Sequence, residues 1–166
     1  IGVEYTMADK ESKSVPFIDI DQISFLKRTF RWDDEMKSYM AVLEEKSINK
    51  MLTSYVHTGV LAPEAHSICA IETAIREYFF YGREKCEERT QYLKDVVARA
   101  DLHDWVREST FPEYDQMAID FWKRHITDDN AEVAEERIQY FTSLLGVNRQ
   151  NHLDGLIPLP EFHTDS

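Results

Sequence analysis

Two short stretches hold the side chains best suited to chemistry. The first, Tyr5-Thr6-Met7-Ala8-Asp9-Lys10, ends on an ammonium in a turn-forming segment behind a short candidate strand, Glu4-Tyr5-Thr6-Met7. A lone Asp-Lys pair on a loop ordinarily decorates a surface. An ammonium that can move toward a triphosphate can instead hand a proton to departing pyrophosphate. The second stretch is Phe25-Leu26-Lys27-Arg28-Thr29-Phe30-Arg31, where Lys27, Arg28 and Arg31 stand close together with no acid between them. On a stiff, aromatic-bearing strand such charges can hold a nucleic-acid backbone by phosphate contacts, which position a strand without reading its sequence. They equally suit a solvated edge strand that blocks unwanted pairing. Alternation puts Lys27 and Arg28 on opposite faces of a regular strand, so both reach one partner only if the chain bends there.

Other constellations are weaker. Trp32-Asp33-Asp34-Glu35 has the look of a metal-binding acid cluster but falls in a hairpin connection, and reads as a solvated turn. The six histidines, at 57, 66, 103, 125, 152 and 163, show no helical i, i+3 or i, i+4 pairing, which argues against a metal site. Cys69 and Cys86 form no CxxC and read as buried small hydrophobes in a reducing compartment. The run Tyr78-Phe79-Phe80-Tyr81 occupies several helix faces, so packing against core or a neighbouring surface is expected of it rather than base stacking.

The elements that must position these residues change character along the chain. Ile23 to Phe30 reads as a strand, with Tyr39 to Leu43 as its antiparallel partner and Asp33 to Ser38 as the connection. From Glu44 onward the period becomes helical. The spacing predicts helices from Glu45 to about Tyr55, from Pro63 to about Tyr81, from Arg83 to Arg99, from Pro112, and from about Asn130 to Gly146. Ile68, Ile71, Ile75, Tyr78 and Phe79 form the clearest apolar face. From Val147 the chain is expected to be extended, through Ile157-Pro158-Leu159-Pro160. The fold class is therefore mainly α: a bundle of about five helices preceded by a short β-hairpin. Such a bundle needs no hairpin of its own, and Ile1 begins with neither an initiator Met nor a capping signal. The expectation is a piece of a larger polypeptide whose strands pair with a sheet outside it.

The first two stretches together resemble the end of the palm subdomain in picornavirus-like RNA-dependent RNA polymerases. There Thr-x-x-Asp-Lys belongs to the segment called motif D, and Phe-Leu-Lys-Arg marks motif E. Tyr39-Met40-Ala41-Val42-Leu43-Glu44-Glu45-Lys46-Ser47-Ile48 looks like the entry into the thumb, above all in insect and algal picorna-like members. Arg76-Glu77 and Tyr81-Gly82-Arg83-Glu84 resemble a mid-thumb stretch. The likeness is specific over residues 5–48, looser toward 90 and absent beyond 110. It implies a palm edge over 1–43, a helical thumb over 44–146 and a tail over 147–166. It implies that Lys10 is the general acid and that Lys27, Arg28 and Arg31 form the primer grip. The implied partners are an RNA template-primer duplex, ribonucleoside triphosphates and the fingers and palm of the same polyprotein, in replication complexes of the host cytoplasm. Mg²⁺ would be bound by carboxylates upstream of Ile1 and not by this chain, which alone should be inactive.

Charge is the main objection. The chain has 166 residues and a net charge of −12, from 19 basic and 31 acidic side chains, which argues against a stand-alone nucleic-acid binder. The imbalance is uneven: residues 1–37 are near balance, and the acid excess lies mostly on the helical part. No apolar run approaches the roughly 20 residues of a membrane span. The alternative from another class is an acidic helical adaptor that binds partners through exposed apolar helix faces and has no catalysis.

Overall fold

A tight turn divides the first predicted strand in the computed structural model, which describes residues 17–55, 57 and 59–156, with side chains as far as Gln150. Lys10, the candidate strand Glu4–Met7 and the Ile157–Pro160 stretch lie outside the described residues. Three strands, β1 (Ser24–Phe25), β2 (Arg28–Asp33) and β3 (Ser38–Leu43), form an antiparallel sheet in that order. The sequence predicts one strand over 23–30, but Leu26 and Lys27 take positive φ, 49° and 64°, between the paired residues Phe25 and Arg28. Two consecutive positive-φ residues between paired neighbours make a type I′ hairpin turn, whose twist matches that of the strands. Neither is the Gly, Asn or Asp that advertises such a turn, so the break leaves no local signal.

The β2–β3 connection follows the expected site. The register runs from Arg28 opposite Leu43 to Asp33 opposite Ser38. Asp33 Oδ1 accepts the backbone N–H groups of Glu35 at 3.0 Å and Met36 at 2.9 Å, so the carboxylate builds the turn. Asp33 and Met36 are buried, which corrects the picture of a wholly solvated turn. Trp32 and its cross-strand neighbour Tyr39 stay half-exposed and meet edge to face, with ring centroids 5.3 Å apart.

Helices α1 (Glu45–Thr53), α2 (Pro63–Tyr78) and α3 (Arg83–Arg99) complete a first compact unit that extends to Tyr114. Pro63 opens α2 at its first turn, where a missing N–H costs nothing. The α2 stripe of Ile68, Ile71, Ala74, Ile75 and Tyr78 is buried as its period requires, and α3 adds Cys86, Leu93 and Val97. Met40 and Val42 from β3 and Ile48 from α1 join this core. Each such aliphatic side chain contributes about 1.5–3 kcal/mol through burial. A 3₁₀ turn, Phe79–Tyr81, follows α2 and ends at Gly82 with φ 98° and ψ 169°. Tyr78 and Phe79 belong to the core, while the Tyr81 hydroxyl donates to the Leu43 carbonyl. Cys86 is buried as expected, but Cys69 is exposed, because the α2 face that carries it points away from the stripe.

The second unit, from Asp115, holds the rest of α4 (Tyr114–His125) and all of α5 (Ala131–Leu156). Met117, Ala118, Ile119 and Trp122 on α4 and Ala134, Phe141 and Leu145 on α5 are buried. Asn148 Nδ2 donates to Asp115 Oδ2 at 3.3 Å. The sequence predicts an end at Gly146, yet α5 continues for ten residues beyond it. A helical glycine costs only about 1 kcal/mol relative to alanine, and the next proline is Pro158, so nothing local stops propagation. Five α-helices after a small sheet make the described residues mainly α, as the sequence predicts.

Candidate nucleic-acid interface

The type I′ turn creates the candidate site, since it places Leu26 and Lys27, next to Phe25, at the end of the three-stranded sheet. Leu26 is 77% exposed and Phe25 65%, an unusual cost for apolar side chains beside a cation. The Lys27 carbonyl accepts the Glu44 N–H at 2.9 Å, which ties the turn to the start of α1. The Lys27 ammonium lies 3.3 Å from Glu44 Oε1, in a pair with both partners well exposed. Glu44 has its carboxyl held below the usual range, first by the Ser47 hydroxyl and then by Lys27. Exposed pairs of this kind are worth little, so Lys27 can leave Glu44 for another anion at small cost.

Arg28 is held differently. Its Nη1 donates to Glu77 Oε2 at 2.8 Å and to the Ala41 carbonyl at 3.0 Å, and its Nη2 donates to Glu77 Oε1 at 2.8 Å. The Phe80 ring centroid lies 5.9 Å from the guanidinium carbon. Hydrogen bonding to Glu77 raises the pKa of Arg28 further, against the opposing effect of burial. This bidentate, half-buried pair joins strand β2 to the last turn of α2.

Arg31 reaches the same part of the helical unit from the opposite face of β2. Its Nε donates to the Phe80 carbonyl at 3.1 Å and its Nη2 to Asp33 Oδ2 at 2.6 Å. A Cβ on Gly82 would lie 2.9 Å from Arg31 Nη2, so the glycine makes room for the guanidinium. Beyond it, Arg83 binds Glu35 with donor distances of 2.6 and 2.9 Å and sits over the Tyr114 ring at 4.5 Å. Of the predicted residues, Lys27 is thus presented at the tip, while Arg28 and Arg31 hold the sheet to α2 and its following turn. Glu77, Glu44 and Gly82 are the partners that spacing does not reveal. Among the described residues no group of three or more His, Cys, Asp or Glu is gathered in metal-binding range. None of their helices is long and apolar enough to cross a membrane.

The geometry is that of an exposed cationic turn anchored to a helical unit. Comparison with known proteins agrees with a replicative setting. Over 111 residues the chain is 26% identical to the replicase polyprotein of Cricket paralysis virus, covering 67% of the chain. It is 27% identical over 111 residues to the replicase polyprotein of Drosophila C virus. The matched region is only 6% of either polyprotein's length. No family model and no solved structure matches the chain. These similarities support a fragment of a picorna-like viral replicase, in the context of positive-strand RNA replication.

Proposed function

We propose that the chain is the C-terminal palm edge and thumb of a viral RNA-directed RNA polymerase, which transfers nucleotides from ribonucleoside triphosphates to an RNA 3′ end. The observation that carries this reading is the Leu26-Lys27 turn: an exposed cation at the end of the sheet, fixed to the start of α1, in a chain similar to replicase polyproteins. Lys27 and Arg28 contact the primer backbone, and phosphate contacts suit an enzyme that must hold every sequence equally. Lys10 donates the proton to pyrophosphate as it leaves. In this reading Mg²⁺ is held by palm carboxylates of the complete polymerase and not by this chain. The −12 charge is compatible with RNA because its acid excess lies mostly outside residues 1–37.

One feature favours the adaptor alternative. A groove of about 410 Å³ is lined mainly by Leu52, Ile71, Tyr92, Leu93, Val96 and Leu102 of the first unit. The two readings separate on Lys27→Ala in the complete polymerase. Its elongation complex should dissociate faster on RNAs of any sequence, with a salt slope shallower by about one unit for one lost phosphate contact. Unchanged dissociation at every salt concentration removes the hairpin from primer binding and leaves the adaptor reading.

A further inference from the structure

Arg28 poses a problem for the primer-contact reading, because its best hydrogen bonds go to its own protein. A guanidinium carries five N–H donors in one plane. Three are committed: both on Nη1, to Ala41 and Glu77, and one on Nη2, to Glu77. The Nε–H and the second Nη2–H have no acceptor among the described residues. These two lie along one edge of the plane and run parallel, the fork that matches two oxygens of a phosphate. The side chain is 32% exposed, whereas that of Glu77 is 19% exposed and sits at the far end of the guanidinium. Glu77 therefore occupies the end of the fork and leaves its side edge free, while Ala41 and the Phe80 ring limit its rotation.

We infer that Glu77 is a positioning residue that grips Arg28 end-on and aims the Nε–H/Nη2–H edge at a phosphodiester of the bound strand. This rests on the primer-contact reading above and assigns the geometry within it. Lys27 and Arg28 then play unlike parts. Lys27 brings a charge held only by its exposed, easily exchanged pair with Glu44, and binding through it releases counterions. Arg28 arrives with its charge already matched by Glu77, so it contributes direction rather than net charge, and its contact adds little to the salt slope.

The test observes the arginine Nε–H signals of the 166-residue chain by ¹⁵N NMR during titration with a short RNA duplex that has a recessed 3′ end. The Arg28 signal should move in the wild type and in Lys27→Ala, and should stay fixed in Glu77→Gln, where the guanidinium is no longer aimed. In the complete polymerase, Arg28→Lys should shorten the elongation-complex lifetime roughly tenfold with an unchanged salt slope, because one ammonium cannot serve both Glu77 and a phosphate pair. Shifts at the Leu26 and Lys27 amides with an immobile Arg28 Nε–H would overturn the inference and leave the hairpin as an RNA contact. A full Arg28 shift in Glu77→Gln would also overturn it. If no hairpin signal moves and Lys27→Ala keeps normal complex lifetimes, the primer-contact reading and this inference fall together.

Discussion

Gly82 shows how much can depend on one missing methyl group. Its φ of 98° and ψ of 169° fall where essentially only glycine is stable, and a Cβ there would press on Arg31 Nη2 at 2.9 Å. Gly82→Ala should therefore cost about 2–3 kcal/mol, strain and a displaced guanidinium together. Gly59→Ala is the control: it also has positive φ, 67°, but open space around it, and should cost only about 1 kcal/mol. Equal losses in denaturant melts would show that the Arg31 contact does not matter. Lys10 belongs to the same scale. In the complete polymerase Lys10→Leu should slow the chemical step roughly 10²–10⁴-fold with little change in nucleotide affinity. Lys10→Arg should also be slow, because a guanidinium hardly yields its proton. Wild-type single-turnover rates in Lys10→Leu would reduce this lysine to surface charge.

The packing of α3 on α2 can be read through the two thiols. Burial pushes the Cys86 thiol up to about 11 from an ordinary value of 9.0, whereas Cys69 faces solvent on α2. At pH 8 a thiol reagent should titrate one cysteine quickly and the second only on unfolding; two equally fast thiols would contradict the packing. The same shift sets a pH dependence. Since the folded thiol holds its proton more tightly than the unfolded one, its stabilisation is complete below pH 9 and is lost as pH rises toward 11. Tyr78, Tyr81 and Tyr114 are raised by burial in the same sense, so the wild-type slope includes them too. Comparison with Cys86→Ala isolates the thiol: its stability should fall less steeply across that window, by at most about 1.4 kcal/mol per pH unit. Parallel slopes would place the thiol in water.

At the scale of the whole molecule, the proposed function has the chain supply contacts and a proton donor, and among the described residues no group of three or more His, Cys, Asp or Glu is gathered in metal-binding range. Under the proposed function the purified 166-residue chain should incorporate no nucleotide into a primed template with either Mg²⁺ or Mn²⁺. Primer extension by the chain alone would show that metal-binding carboxylates lie within it and would overturn the division of labour proposed here. The chain should nonetheless fold far enough to give a cooperative melt for the unit up to Tyr114, whose core joins the sheet to α1, α2 and α3.

What the sequence alone determined is what short-range physics dictates. The helical period placed α1 to α4 nearly as they stand, because an apolar stripe at i, i+3 and i+4 has few other uses. Gly82 marked the end of the α2 segment because φ near 98° excludes other residues. Where local signals were weak or misleading, tertiary structure decided. The turn at Leu26-Lys27 has no turn-forming residue, and is held instead by the Glu44 N–H on the Lys27 carbonyl and by Arg28 on Glu77. Gly146 suggested an end to α5 that nothing in its surroundings enforces. The clearest case is the cluster of Lys27, Arg28 and Arg31, equivalent by composition yet given different work. Arg28 meets Glu77 across 49 residues of chain and Arg31 meets the Phe80 carbonyl across 49, while Lys27 is left at the tip. A charge pattern says how many cations are present, but which of them face solvent depends on acceptors that only the folded chain brings within hydrogen-bonding reach.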